Sequence, residues 1–280
     1  MKIVRYSYEN QVQLGILQDE EIFPLSLGSD TTPAIPLLHR KRDELASDAL
    51  SSKSIPVEDA RLLAPIRRPG KIVCLGRNYV AHAEESGMPV PQEPIVFPKA
   101  SSAVIGPGDP IVHHKICTRV DHEVELAVVI GDQCRYVRGE DALEKVLGYT
   151  VINDVTARDM QKRDIESRNP WFRSKSLDTF CPLGPWIVTS EEIPDPQRLS
   201  LECRVNGEVR QHGNTREMIF PVTQLIEFIS AHMTLEPGDI IATGTPEGIS
   251  PIRPGDVVEC EVEGIGVLRN PVIDDPQRGS

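Results

Sequence analysis

Short apolar or alternating stretches recur along the chain and predict a β-rich fold. Three of them, at 2–9, 11–18 and 20–25, are separated by Glu-Asn and Asp-Glu pairs and predict a small β-meander. Pro-Gly-Asp twice precedes an apolar run near the end of the chain, as a turn before a strand should. Further strands are expected at 71–76, 94–97, 103–105, 111–112, 123–130, 148–154, 236–248 and 253–272.

One segment has clear helical periodicity. Between 220 and 233, apolar residues recur at helical spacing and Pro221 suits a first turn, so we expect a core-packing helix there. Its apolar positions are Val222, Leu225, Ile226, Ile229 and Met233. Weaker patterns predict helices near 41–50, in the middle of 77–89, at 140–148 and at 156–168.

A proline-rich stretch at 62–71 suggests a boundary near Gly70, because proline continues neither a helix nor a central strand. We therefore predict a small N-terminal β-containing domain at 1–69, a larger catalytic domain at 70–273 and a tail at 274–280. Many short strands with few helices indicate a β-rich α+β fold class.

The chain has 280 residues, of which 39% are hydrophobic, with 42 acidic and 30 basic side chains and a formal charge of −12. The acidic balance argues against nucleic acid or an anionic membrane as a partner and favours a small molecule. No apolar run reaches the roughly 18 residues of a membrane span, and the start lacks a signal-peptide core, so a cytoplasmic protein is expected.

The cysteines are scattered, with no Cys-x-x-Cys and no metal-finger spacing. Reduced, packed thiols are therefore expected. The positions are Cys74, Cys117, Cys134, Cys181, Cys203 and Cys260.

Two glutamates interrupt the apolar strand at 123–130. Glu123 and Glu125 point to one face, where they need a cation or a basic partner if buried, or where they line a solvated face. Asp154 ends another predicted strand just before a helix, so it is either a third ligand or a helix N-cap. Three carboxylates without clustered cysteine or histidine favour Mg²⁺ or Mn²⁺ over zinc.

His82 and Glu85 are three residues apart, which places them on one helical face. The carboxylate could then orient the imidazole, although such a pair on a polar helix is also common at exposed surfaces. His113, His114 and His122 are weaker candidates, and His122 should point away from Glu123 across the strand.

Five ordered motifs resemble the fumarylacetoacetate hydrolase family. They are GRNYVAHAEESG, DHEVELAVVIG, INDVTARDMQ, SKSLDTFCPLGP and GDIIATGTPEG, spread over 72–248. The resemblance implies a mixed β-sandwich roll with a small N-terminal domain, usually assembled as a homodimer. It also implies that Glu123, Glu125 and Asp154 hold a divalent metal, Mg²⁺ or Mn²⁺.

The resemblance assigns further roles. His82 and Glu85 match a catalytic pair on a mobile segment that closes over substrate, and Lys175 matches a lysine facing a bound oxo-acid. Thr245, beside Gly244, matches a turn whose hydroxyl and N–H groups take a substrate carboxylate. Gln161 matches a polar contact to substrate, with a surface role as the alternative. For three further residues of the motifs, contact and scaffold roles both remain open: Arg77, Tyr79 and Arg158.

The chemistry implied is enolate formation from a 2-oxo acid. In the preferred reaction, water activated by His82 cleaves the C–C bond of an acylpyruvate to pyruvate and a carboxylic acid through a metal-bound enolate. The family resemblance also allows decarboxylation of oxaloacetate-like acids or isomerisation of hydroxy-dienedioates from aromatic breakdown. A non-catalytic metal- or metabolite-binding protein is the alternative outside enzymes.

Overall fold

The computed structural model describes residues 1–85, 87 and 89–276. Its strands are β1 (Lys2–Tyr8), β2 (Gln11–Gln18), β3 (Glu21–Leu25), β4 (Ile55–Pro56), β5 (Arg61–Leu63), β6 (Ile72–Gly76), β7 (Ile95–Pro98), β8 (Val104–Ile105), β9 (Ile111–His113), β10 (Val120–Asp121), β11 (Val124–Ile130), β12 (Val146–Asn153), β13 (Thr156–Ala157), β14 (Cys181–Thr189), β15 (Ser200–Val205), β16 (Glu208–Asn214), β17 (Ile240–Ala242), β18 (Pro251–Ile252), β19 (Val257–Val262) and β20 (Gly266–Asp274). The helices are α1 (Thr31–Arg40), α2 (Arg42–Leu50), α3 (Val80–Glu85), α4 (Arg158–Glu166), α5 (Phe172–Lys175) and α6 (Val222–His232).

The predicted β-rich α+β fold is confirmed, with strands from all regions of the chain joined into mixed sheets. The N-terminal meander forms as β1 to β3, and the core helix forms as α6 with four of the five predicted apolar positions buried. The fifth, Met233, follows the helix as its C-cap and is partly buried. The helix predicted within 77–89 forms as α3, although Ser86 and Met88 lie outside the described residues. Of the predicted tail, 277–280 also lie outside them.

Two helix predictions differ from the structure. The segment at 140–148 is a 3₁₀ turn, Gly139–Lys145, followed directly by β12. Helix α1 lies in a segment of mixed polar sequence where no helix is expected, and it contains two prolines, which disfavour a helix. It forms because Asp30 caps it by accepting the Thr32 N–H and because Ile35 and Leu38 are buried.

The largest sheet runs in the order β4-β3-β2-β1-β14-β12-β11-β17-β6-β7, with β5 paired to β1 and β8 to β14. Strand β11 lies between β12 and β17 and is antiparallel to both, whereas β17 and β6 are parallel. A second sheet has the order β16-β15-β19-β20-β9, and a third joins β13, β10 and β18. The predicted boundary near Gly70 falls in the loop between β5 and β6.

Strand β11 is buried on both faces, which explains its nearly continuous apolar sequence. Leu126 and Val128 belong to the core shared with the second sheet and α6. Ala127 and Val129 belong to a separate core that includes α1 and the N-terminal strands. The alternation continues towards the start of the strand, so Glu125 and Glu123 lie on the second of these faces.

Among the described helices, none is both long and apolar enough to cross a bilayer.

Candidate active site

Three buried carboxylates converge at one end of the large sheet. Glu123 immediately precedes β11, Glu125 is its second residue, and Asp154 immediately follows β12. The strands pair with Val124 opposite Asn153, and the Asp154 N–H donates to the Glu123 carbonyl oxygen at 2.8 Å. One carboxylate oxygen from each side chain lies within 4.8 Å of the others. The glutamates therefore do not line a solvated face, and Asp154 is not a helix cap, because α4 begins at Arg158.

The three carboxylates differ in their electrostatic surroundings. Burial raises the pKa of Glu125 well above its usual value, and Asp154 and Glu123 raise it further. Burial acts in the same direction on Glu123, but Lys175 and Arg158 outweigh it and hold the Glu123 pKa well below its usual range. Basic side chains thus stabilise the ionised form of Glu123, whereas Glu125 has no basic partner of its own among the described residues.

Basic side chains hold Glu123 and Asp154. Lys175 Nζ lies 2.9 Å from Glu123 Oε2 and 2.5 Å from Asp154 Oδ2. Lys99 Nζ lies 2.5 Å from Asp154 Oδ1, and Arg158 Nη2 donates to Glu123 Oε1. Burial alone would lower the pKa of Lys175, but Asp154 and Glu123 raise it above its usual value. Lys175 therefore remains an ammonium group and acts as a fixed charge.

The cluster fits a hard divalent cation. Its ligand atoms are all carboxylate oxygens, the donor type that Mg²⁺ and Mn²⁺ prefer. Glu125 accepts the Gly244 N–H at 2.8 Å but forms no ion pair within the described part of the chain. Its raised pKa marks the position where a cation would relieve the repulsion between the carboxylates.

Helix α3 places the predicted catalytic pair at the same cavity. His82 Nδ1 donates to Glu85 Oε2 at 3.2 Å, so Nε2 is the ring nitrogen left to accept a proton. Glu85 Oε1 accepts the Gly248 N–H at 3.1 Å, which ties α3 to the loop after β17. His82 is buried, Glu85 is exposed, and both side chains line the cavity. The pair therefore belongs to the cavity wall and is more than two neighbouring groups on an open surface.

The cavity has a volume of about 550 Å³ and is lined by Glu123 and Glu125, whereas Asp154 is not among its lining residues. Apolar side chains form much of its wall, and charged side chains of both signs lie among them. The apolar residues are Leu75, Phe97, Ile165, Trp171 and Ile249. The further polar and charged residues are Arg77, Arg119, Arg158, Gln161, Lys162, Glu166, Lys175 and Thr245.

Thr245 is held by a hydrogen-bond network behind the wall. Its hydroxyl donates to the Val124 carbonyl oxygen at 2.8 Å and accepts from Gln211 Nε2 at 2.8 Å. Gln211 Oε1 accepts the Val124 N–H at 3.1 Å, so His122 Nδ1 must be the donor in its 2.9 Å contact with the same oxygen. The Thr245 hydroxyl proton is therefore donated to Val124 and is not free for another acceptor.

The other predicted substrate contacts occupy different positions. Arg77 and Gln161 line the cavity, and Gln161 Oε1 accepts from Arg158 Nη1 at 2.6 Å. Gly244 instead holds Glu125 through its N–H. Tyr79 is not among the lining residues; its hydroxyl is buried and has no hydrogen-bond partner in the described residues.

Sequence reasoning missed three residues that support this site: Lys99, Gln211 and Gly248. Each lies far along the chain from its partner, so local spacing carries no signal for the pairing. Burial of a lysine immediately after a β-strand is the feature that sets Lys99 apart, and it becomes visible only when Asp154 is placed beside it. As predicted, His122 takes no part in the carboxylate cluster, since it bonds Gln211 and Ser250.

Comparison with known proteins identifies the family of the chain. Residues 71–273 match the family model described as fumarylacetoacetate (FAA) hydrolase C-terminal, and residues 1–65 match one described as Rv2993c-like, N-terminal. Among curated relatives, the mitochondrial oxaloacetate tautomerase FAHD2A of Homo sapiens is 46% identical over 226 residues, covering 78% of this chain and 71% of the relative.

Solved structures give matches over nearly the whole chain. The 5-carboxymethyl-2-hydroxymuconate delta-isomerase from Mycobacterium smegmatis is 40% identical with a TM-score of 0.82, covering 98% of this chain and 99% of the other. The maleylpyruvate hydrolase from Sphingobium sp. SYK-6, in complex with manganese(II) and pyruvate, is 33% identical with a TM-score of 0.83 and covers 98% and 99%.

Proposed function

Because the chain belongs to the fumarylacetoacetate hydrolase family, we propose that it is a divalent-metal-dependent hydrolase of acylpyruvate-type 2,4-dioxo acids. The products are pyruvate and a carboxylic acid. The observation that carries this choice is the His82–Glu85 pair, which faces the same cavity as the carboxylate cluster. Hydrolysis needs an activated water, and this pair supplies a base with a supporting carboxylate.

Glu123, Glu125 and Asp154 would hold the cation, Mg²⁺ or Mn²⁺ by the chemistry of their oxygens. When bound, the cation supplies electrostatic stabilisation for negative charge on the 1-carboxylate and 2-oxygen of the substrate. The solved relative that contains both manganese(II) and pyruvate supports this pairing of cation and 2-oxo acid.

The side chains then divide the work. His82 Nε2 takes a proton from water, the water oxygen attacks the distal carbonyl carbon, and Glu85 stabilises the resulting imidazolium. The bond between C3 and C4 breaks, its electron pair passes to the pyruvate enolate, and C3 is later protonated. Lys175 remains charged throughout and opposes the negative charge that develops beside it.

Tautomerisation of oxaloacetate is the second candidate, favoured by the 46% identity to the human oxaloacetate tautomerase. Moving a proton between C3 and the 2-oxygen needs His82 as a shuttle but no attacking water. Both reactions pass through the enolate of a 2-oxo acid, pyruvate in hydrolysis and oxaloacetate in tautomerisation, but only hydrolysis uses the pair to activate a water.

The test compares pyruvate release from acetylpyruvate with keto–enol conversion and decarboxylation of oxaloacetate, each with Mn²⁺ and with a chelator. Hydrolysis should be chelator-sensitive and faster than the metal-only background. His82→Ala should lower it by about 10²-fold or more, the usual contribution of a general base, while Mn²⁺ binding persists. His212→Ala is the matched control, because His212 also faces a glutamate, at 3.7 Å, but lies on an exposed surface.

Turnover of oxaloacetate alone would replace the hydrolase with the second candidate. No turnover of either acid, together with Mn²⁺ binding, would leave a non-catalytic metal- or metabolite-binding protein. We also propose that the protein is a homodimer, which light scattering coupled to size-exclusion chromatography would test.

A further inference from the structure

Lys99 is a buried cation that contacts Asp154, one of the candidate metal ligands, without lining the cavity. It follows β7 directly, and its side chain is 0% exposed. Its Nζ donates to Asp154 Oδ1 at 2.5 Å and to the Val155 carbonyl oxygen at 3.2 Å. It is not among the residues that line the cavity, so a substrate would not meet it.

Asp154 therefore carries one lysine on each carboxylate oxygen. Lys99 holds Oδ1, and Lys175 lies 2.5 Å from Oδ2. A single salt bridge would suffice to neutralise one carboxylate. Lys99 is therefore a second positive charge on a carboxylate that Lys175 already contacts, at a site that has the ligands for a divalent cation.

The formal charges of the carboxylates and of the basic side chains that contact them can be counted. Ionised for cation binding, the three carboxylates carry −3, and the three basic side chains in contact with them carry +3. The adjacent Asp121–Arg119 pair adds zero. Among these groups in direct contact, none compensates the charge of a bound divalent cation. The carboxylates are Glu123, Glu125 and Asp154, and the cations are Lys99, Lys175 and Arg158.

We propose that Lys99 makes binding of the divalent cation depend on an anionic 2-oxo acid, because its buried charge leaves the loaded carboxylate cluster with an excess of positive charge that the ligand neutralises. This inference rests on the proposed function, in which cation and 2-oxo acid share the site. Lys99 acts through Asp154 and does not touch the reacting atoms, so it is a positioning and charge-balancing residue.

The experiment is a calorimetric titration of the whole protein with Mn²⁺, in the absence and presence of saturating pyruvate. Pyruvamide is the ligand control, since it keeps the two adjacent carbonyl groups but has no charge. In the parent protein, pyruvate should tighten Mn²⁺ binding by about tenfold or more and pyruvamide should not, since charges a few ångströms apart near a protein surface interact at this scale.

Lys99→Gln removes the charge but keeps a donor for Asp154. Mn²⁺ alone should then bind about tenfold more tightly, and most of the pyruvate effect should disappear. Lys99→Arg, which restores the charge, should return both values towards those of the parent. Lys99→Met gives the same charge loss by another route if the glutamine variant does not fold.

Lys71→Met is the matched control, because Lys71 also pairs with a buried aspartate, Asp239, at 2.6 Å but away from the carboxylate cluster. It should leave both Mn²⁺ affinity and the pyruvate effect unchanged. Weaker Mn²⁺ binding by Lys99→Gln with an intact pyruvate effect would overturn the proposal and reduce Lys99 to a support for Asp154. Absence of Mn²⁺ binding by the parent protein would instead refute the proposed function.

Discussion

Glu125 and Asp154 are both buried carboxylates, yet their surroundings give them opposite properties. Asp154 is bonded by two lysines, whereas Glu125 receives one backbone N–H and lies beside two other carboxylates. Burial and the two neighbouring carboxylates therefore destabilise the ionised form of Glu125 and raise its pKa. A cation at this position would relieve the repulsion between the carboxylates.

Glu125→Gln should raise the stability of the metal-free protein and abolish its response to Mn²⁺. A carboxyl group whose folded pKa is raised contributes stability that is complete below its unfolded pKa and is lost as pH rises through its folded pKa. At pH 8 the wild-type protein has lost part of that contribution, and glutamine avoids the loss while still accepting the Gly244 N–H. Thermal unfolding at pH 8 should show a rise in Tm of about 2–4 °C, the shift produced by ~1 kcal/mol in a domain of roughly this size.

Asp239→Asn provides the control for this measurement. Asp239 is equally buried but is paired with Lys71, so its amide should lower Tm and leave the Mn²⁺-induced rise intact. A Glu125→Gln protein that still gains stability from Mn²⁺ would remove Glu125 from the ligand set.

At the scale of elements, helix α3 is short, and its last residue, Glu85, connects it to a neighbouring loop. Glu85 bonds His82 within the helix and the Gly248 N–H outside it, so one side chain both orients the imidazole and anchors the helix. Gly248 has φ of +95°, and a Cβ there would lie 2.1 Å from the Arg210 carbonyl oxygen. Only glycine permits this close approach of the loop to β16.

Gly248→Ala should therefore displace the anchor and lower kcat by about tenfold or more, as small misplacements of catalytic groups do. Gly255→Ala is a close control, because Gly255 has φ of +96° but no heavy atom within 4 Å of a built Cβ. Both variants carry similar backbone strain, but only the new Cβ at position 248 clashes with a neighbouring atom, the Arg210 carbonyl oxygen. Steady-state kinetics on acetylpyruvate and oxaloacetate would compare them, and equal effects would show that strain alone, not the anchor, matters.

The sequence predicts features that depend on contacts within one helix or strand, and it does not predict contacts between residues that are distant along the chain. Periodicity identified the strands around the site and the apolar face of α6, because each signal lies within one element. It failed at α1, where tertiary burial of Ile35 and Leu38 outweighs two prolines. Strand position alone allows Glu123, Glu125 and Asp154 to be metal ligands, surface residues or a helix cap, and only the family motifs favour the ligand role. Lys99 lies 55 residues from the aspartate it contacts, so no local pattern links the two.

For the whole molecule, the N-terminal segment is continuous with the sheet that carries the site. Strand β1 pairs with β14, with Ile3 opposite Ile187, and β14 in turn pairs with β12. Helix α1 adds Ile35 and Leu38 to the core that includes one face of β11. The N-terminal segment thus covers an apolar face that the second sheet does not cover.

Removing residues 1–69 should therefore prevent the rest of the chain from folding to a soluble product. The deletion leaves part of the β14 edge without its partner and exposes the apolar face that includes Leu147, and both features favour aggregation. Size-exclusion chromatography and circular dichroism of a 70–276 fragment would measure this. Co-expression of residues 1–69 as a separate chain should restore soluble protein, because the missing strand and helix can then repair the same surfaces. A monodisperse 70–276 fragment with the kcat/KM of the full chain would show instead that the N-terminal segment is dispensable for both fold and site.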